Sequence, residues 1–255
     1  MRYAFAFGFF VLGALCAPAE TPKGVLVVDG GGKVTTGLYR KILDLAGGTN
    51  VTVLVIPFAT ASTNSGDASL NAWRRSGAAR VSALTAQDRE AALAAVQAAD
   101  VIWLGGGSQS RLMAGLQRLN LVEAIRERYA QGAVIGGSSA GAAVMSKVMI
   151  AGPPKTPDAP PPMAEGLGLW PEVIVDMHFV KRVREPRLRK AVAAHPDLVG
   201  VGIDESTCVI VRGHSAEVFG KGTVTLLDTR EGKAEAKVSV LKASESFDLP
   251  SITSN

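Results

Sequence analysis

The chain has 255 residues, 47% of them hydrophobic, and a formal net charge of +4. That length buries one substantial core, and without a long Lys/Arg block or basic-aromatic interleaving nucleic acid is excluded as a partner. The scattered histidines His178, His195 and His214 lack the close spacing of a zinc site, so no metal is expected.

Residues 1–19, MRYAFAFGFFVLGALCAPA, carry one early Arg, then an apolar stretch too short to span a bilayer, then Ala17-Pro18-Ala19. This reads as a cleaved secretory signal and predicts an exported protein, periplasmic or extracellular, with no stable membrane anchor. A lipoprotein signal at Cys16 is the weaker reading, because Leu15 stands where a small residue is wanted. Cleavage leaves Cys208 as the sole cysteine, which rules out an intramolecular disulfide. Residues 20–255 are expected to form a single domain held by core packing.

The runs KGVLVVDGGGK, NVTVLVIPFATAS and AADVIWLGGGSQS are short, apolar and β-branched, and each breaks into turn-forming residues. They predict buried strands ending in loops. Between them TTGLYRKILDLAGG and AQDREAALAAVQAAD have helical spacing or are Ala-rich, as crossover helices are. Alternating strands and helices predict an α/β fold with a mainly parallel sheet covered on both faces, whose ligands sit beyond the carboxyl ends of the strands.

After AVIGGSSAGAAVMSKVMI the eleven residues GPPKTPDAPPP hold six prolines and predict an irregular loop. A helix is expected in REPRLRKAVAAHPD. The segments LVGVGIDE, TCVIVRG, AEVFG, TVTLLD and EAKVSVLKA then read as extra C-terminal strands joined by tight turns.

Ser139 centres GSSAG, a G-x-S-x-G pentapeptide between an apolar strand and an Ala-rich helical pattern. Flanking glycines relieve crowding on such a sharp turn and expose the hydroxyl, as a nucleophile requires, although a Gly/Ser turn capping an ordinary helix reads the same. His178, at the end of the apolar run in VIVDMHFVKRVR, can supply the base; a satisfied core histidine is the other reading. His195 and His214 look structural or superficial.

Six blocks in order resemble cyanophycinase and the related serine peptidases of family S51, which include aspartyl dipeptidases: VDGGGK, IPFATAS, WLGGGSQSRL, GSSAGAAVM, DMHFVKRVREPRL and GVGIDEST. The resemblance implies a flavodoxin-like, class I glutamine amidotransferase-like fold. It also implies a covalent mechanism without a cofactor, in which Ser139 attacks an amide and His178 shuttles the proton. Oxyanion donors are expected at Ala140 and in the Gly106-Gly107 loop, Gly107 in particular. Cyanophycinase cleaves a poly-aspartate backbone bearing β-linked arginine and releases β-Asp-Arg dipeptides, so the implied substrate is cyanophycin or another Asp-containing peptide.

The binding positions implied are Gln109, Asp176, Arg182, Arg184 and Arg187. Guanidinium groups suit substrate carboxylates and Asp176 a substrate arginine, while a solvated helix face is the alternative for the arginines. Dimers occur in the family, which makes a homodimer an open option. Two positions depart from the pattern, Met177 for Gln and Ser108 for Asp. The acid that orients the histidine is expected between serine and histidine, at Asp158 or else Glu165. Asp176 is unsuited, because residues two apart on a strand share a face without bonding. Without a clear acid, the competing expectation is a catalytically feeble binding protein that retains the pocket; an α/β-hydrolase esterase is a third class, disfavoured by where the histidines fall.

Overall fold

The computed structural model describes residues 21–61, 65–85, 88–156, 158–230 and 236–249. The predicted leader, residues 1–19, lies outside them. Strands β1 (Val25–Asp29), β2 (Thr52–Ile56), β3 (Arg80–Ala83), β4 (Val101–Leu104) and β5 (Val134–Ser138) alternate with helices α1 (Thr36–Leu45), α2 (Ser65–Arg75), α3 (Arg89–Gln97), α4 (Gln109–Arg118) and α5 (Val122–Gln131). The strands pair in parallel in the order β1-β5-β4-β2-β3.

Strand periodicity divides the apolar residues between two cores. Leu26, Val28, Leu54 and Ile56 belong to the core on one face of the sheet, and Val27, Val53 and Val55 to the core on the other. Tyr39, Trp73 and Trp103 fill the second core, with ring centroids 4.6–5.8 Å apart. The predicted crossover helices form, and polar caps fix their starts: the Thr35 side chain accepts from the Leu38 N–H, and Asp88 accepts from Glu90 and Ala91.

The chain then continues through α6 (Ala140–Ala143), β6 (Val148–Ile150), β7 (Met163–Glu165), β8 (Val173–Met177), α7 (Glu185–Ala194), β9 (Val199–Ile203), β10 (Thr207–Arg212), β11 (Ser215–Gly220), β12 (Val224–Asp228), β13 (Lys237–Leu241) and β14 (Ser246–Asp248). The C-terminal strands divide between two sheets. β10 adds antiparallel to β1 and is followed outward by β11 and β14, whereas β8, β9, β12 and β13 make a separate four-stranded sheet. Within the second sheet β8 and β9 are parallel, connected through α7. The ends of β1, β5, β8 and β9 therefore converge, and the candidate site lies there.

Candidate active site

The turn at Ser139 follows from the glycines around it. β5 ends at Ser138, Ser139 takes φ 53° and ψ −108°, and α6 begins at Ala140. A Cβ on Gly137 would sit 2.5 Å from the Gly141 carbonyl carbon, and one on Gly141 would sit 2.1 Å from the Leu104 oxygen. Only glycine permits so close an approach of α6 to β4 and to the strand it leaves, so both glycines of the pentapeptide are steric requirements. The strained serine backbone between them presents its hydroxyl beyond the sheet edge.

Ser139 Oγ lies 2.8 Å from His178 Nε2, and His178 Nδ1 lies 2.7 Å from Glu205 Oε1. The second carboxylate oxygen of Glu205 accepts from Lys181 Nζ at 2.7 Å. Lys181 and His178 both hold the Glu205 carboxyl below the usual glutamate range. An ionised Glu205 accepts from Nδ1–H, which leaves the Nε2 lone pair facing the serine hydroxyl. Burial lowers the pKa of His178; the Glu205 hydrogen bond opposes this, and the charges of Arg182 and Arg184 reinforce it. The imidazole is thus neutral at pH 7, the form in which it accepts a proton.

The orienting position is the main correction to the sequence reading. Asp158 is exposed in the proline-rich loop and Glu165 is exposed on β7, while the carboxylate on His178 belongs to Glu205. Parallel pairing of β8 with β9 sets Met177 opposite Ile203. The histidine just past β8 therefore meets the loop just past β9, and the acid follows the histidine in sequence. Its neighbour Asp204 is engaged elsewhere, accepting from the Val180 N–H and from both the N–H and the hydroxyl of Thr223.

A cavity of about 450 Å³ opens over the serine, lined by Gly105, Gly106, Gly107, Ser139 and His178 among others. The N–H groups of Gly106, Gly107 and Ala140 have no hydrogen-bond partner among the described residues. Gly107 (φ 138°) is pressed against Ala59, where a Cβ would lie 2.4 Å from the Ala59 oxygen. These N–H groups stand beside the nucleophile, where donors to a developing oxyanion are needed.

The implied binding positions separate into distinct roles. Gln109 uses its side-chain amide to donate to the Ile150 carbonyl at 2.7 Å, tying α4 to β6. Ser108, which replaces the family's Asp, caps α4 by accepting the Arg111 N–H, a role either residue performs. Asp176 is fully buried and ion-paired: Arg187 grips it through Nε at 2.7 Å and Nη2 at 2.5 Å, and Arg184 adds a bond at 3.1 Å. It is not available to a substrate arginine, contrary to the sequence reading, because both its oxygens are spent on arginines of its own chain. Arg182, Arg184, Arg187 and Lys190 instead line a second cavity of about 350 Å³ against the proline-rich loop.

Removing the shared anion from that cluster leaves two guanidinium groups beside one another and largely buried. Asp176→Ala is expected to lower stability by about 3 kcal/mol, read as a fall in the urea midpoint at unchanged slope. A midpoint within error of the parent would show that Asp176 is not the anchor of these arginines.

The model of Peptidase family S51 matches residues 26–219. The chain is 39% identical over 227 residues to a cyanophycinase of Trichormus variabilis, covering 84% of this chain and 76% of that one. To Peptidase E of Pasteurella multocida it is 28% identical over 186 residues, covering 69% of this chain and 77% of the other. The solved structure of a peptidase from an acI-B1 Actinobacterium superposes with a TM-score of 0.68 at 23% identity, over 90% of this chain and 98% of that one. The fold is accordingly flavodoxin-like, of the class I glutamine amidotransferase type. With a serine, a histidine and a carboxylate in hydrogen-bonded series at its strand ends, the chain belongs to peptidase family S51 and is a serine-type peptidase.

Proposed function

We propose that this peptidase is exported and hydrolyses Asp-containing peptide bonds, in cyanophycin or in Asp-X peptides, through an acyl-enzyme on Ser139. One observation carries the mechanism: the unbroken series Ser139 Oγ, His178, Glu205, with contacts of 2.8 and 2.7 Å, at the floor of a cavity. As Ser139 Oγ attacks the substrate carbonyl, its proton passes to His178 Nε2, and Glu205 stabilises the imidazolium. The oxyanion takes hydrogen bonds from Ala140 N–H and the Gly106-Gly107 loop. Collapse breaks the C–N bond, with the His178 proton going to the leaving amine. Water, deprotonated by the same imidazole, then attacks the acyl-enzyme, and the serine leaves with the proton.

Support for the substrate class comes from the relatives named cyanophycinase and Peptidase E. The reading as a feeble binding protein drew on the want of an orienting acid, and Glu205 removes that ground. The test incubates the mature protein and its Ser139→Ala variant with insoluble cyanophycin and with Asp-X dipeptides, following products by mass spectrometry. β-Asp-Arg or free aspartate is expected with the parent and not with the variant. Failure of the parent on every substrate would remove the Asp specificity.

A further inference from the structure

The end of β1 and the loop that follows it hold the backbone at, or next to, each member of the catalytic series. The Asp29 carbonyl accepts the Ser139 N–H at 3.0 Å, the Gly30 carbonyl accepts the His178 N–H at 2.8 Å, and the Gly31 carbonyl accepts the N–H of Ser206, next to Glu205, at 3.0 Å. The Gly30 N–H returns to the Thr207 carbonyl at 2.9 Å. Gly31 packs against the imidazole, since a Cβ there would lie 2.5 Å from His178 Cε1. Three consecutive peptide units thus tie together the backbones of Ser139, His178 and Ser206, the residue after Glu205.

Such a loop needs something to hold it, because Gly31 (φ 94°) and Gly32 (φ 79°) adopt conformations that glycine leaves readily. The Asp29 side chain supplies the tie. Its carboxylate accepts the Gly31 N–H at 3.2 Å, the Ser138 side chain favours its charged form, and the residue is 1% exposed. Among the described residues no cation forms an ion pair with it. Tyr39 of α1 and Cys208 of β10 face it, and its charge opposes their ionisation. Lys33 and Lys221 stand with it around a separate cavity of about 300 Å³. A buried carboxylate with no ion-pair partner is costly, and such groups cluster at sites where they serve function.

We propose that Asp29 is a positioning residue: its buried carboxylate locks the Gly30–Gly31 turn from which the backbones of Ser139, His178 and Ser206, next to Glu205, are hung, and the series is fully aligned only while Asp29 is ionised. The proposal rests on Ser139 and His178 acting as nucleophile and base. Burial raises the Asp29 pKa to about 6, so the carboxylate gains its proton as pH falls through that value and becomes a poorer acceptor for the Gly31 N–H. His178 also gains its proton on the acid side, below 6.5. Both losses fall on one limb, so the wild-type log rate steepens beyond a slope of about one over the pH range in which Asp29 gains its proton.

The test measures covalent labelling of Ser139 by a fluorophosphonate across pH, a readout that depends on the nucleophile and not on the peptide substrate. Asp29→Asn keeps shape and an acceptor but cannot ionise. It is expected to label about ten- to a hundredfold more slowly at neutral pH, as a small misplacement of reacting atoms does, and to lose the steeper region of the acid limb, leaving a slope of about one throughout. Labelling at the wild-type rate with an unchanged acid limb overturns the proposal and leaves the nucleophile intact. A wild-type protein that is not labelled at Ser139 overturns the nucleophile and this proposal together. If the variant does not fold by circular dichroism, the wild-type profile decides alone: a slope of about one throughout the acid limb, with no steeper region, refutes the role of Asp29 ionisation.

Discussion

Alanine at Ser139 is expected to lower kcat about a millionfold, with the thermal midpoint within a few degrees of the parent. The substitution removes the one hydroxyl that faces His178 Nε2. The adjacent hydroxyl cannot stand in for it, because Ser138 ends β5 and its side chain acts on the Asp29 carboxylate. Serine and alanine have the same Cβ, so the strained backbone at φ 53° is no worse occupied than before. Steady-state turnover and calorimetry on the same preparation check both halves. A variant retaining more than about a thousandth of parental kcat would contradict the assignment, since the rate left by donors and binding alone is far below that.

Glutamine at Glu205 is expected to lower kcat about ten-thousandfold with little change in KM. The carboxylate only accepts, which fixes the proton on Nδ1 and leaves Nε2 as the base. A carboxamide can turn its NH2 toward Nδ1, which places the proton on Nε2 and deprives the serine of its acceptor. Glu205 also raises the His178 pKa through its hydrogen bond and charge. Its removal therefore shifts whatever acid limb remains to lower pH. Asp158→Asn and Glu165→Gln serve as controls, each expected to stay within about twofold of the parent because both residues are exposed. A large loss in either control with Glu205→Gln near wild type would return the orienting role to the proline-rich region.

The parallel half of the main sheet was legible because its signals are local. Strands β1, β2, β4 and β5 are apolar runs stopped by turn residues, and the intervening helices carry caps and apolar periodicity. Ser139 and His178 were legible for the same reason, each lying just past such a run. Glu205 was not. Its position depends on β8 lying beside β9, a pairing made across α7 that leaves no mark in either strand. The same holds for β9 and β10, which are separated by a short turn in sequence and yet enter different sheets. Short apolar strands carry little information about their partner.

Asp176 illustrates a different limit. A charge inside an apolar strand signals function or a buried ion pair, and the spacing of Arg184 and Arg187, one helical turn apart, was available to suggest the second. Which of the two applies is decided by whether those arginines reach back to β8, and that depends on how α7 packs. Asp29 gave still less signal: an acid before three glycines looks like an ordinary turn until the Ser139, His178 and Ser206 amides are seen bonding to the successive carbonyls of Asp29, Gly30 and Gly31.

A covalent intermediate at Ser139 is the central step, and the direct measurement is an acid quench of the wild-type protein turning over a slow, activated Asp ester, followed by peptide mass mapping. An aspartyl adduct is predicted on the peptide containing Ser139, absent from the Ser139→Ala protein. Turnover with no adduct on that peptide, or with an adduct on another residue, would contradict the account.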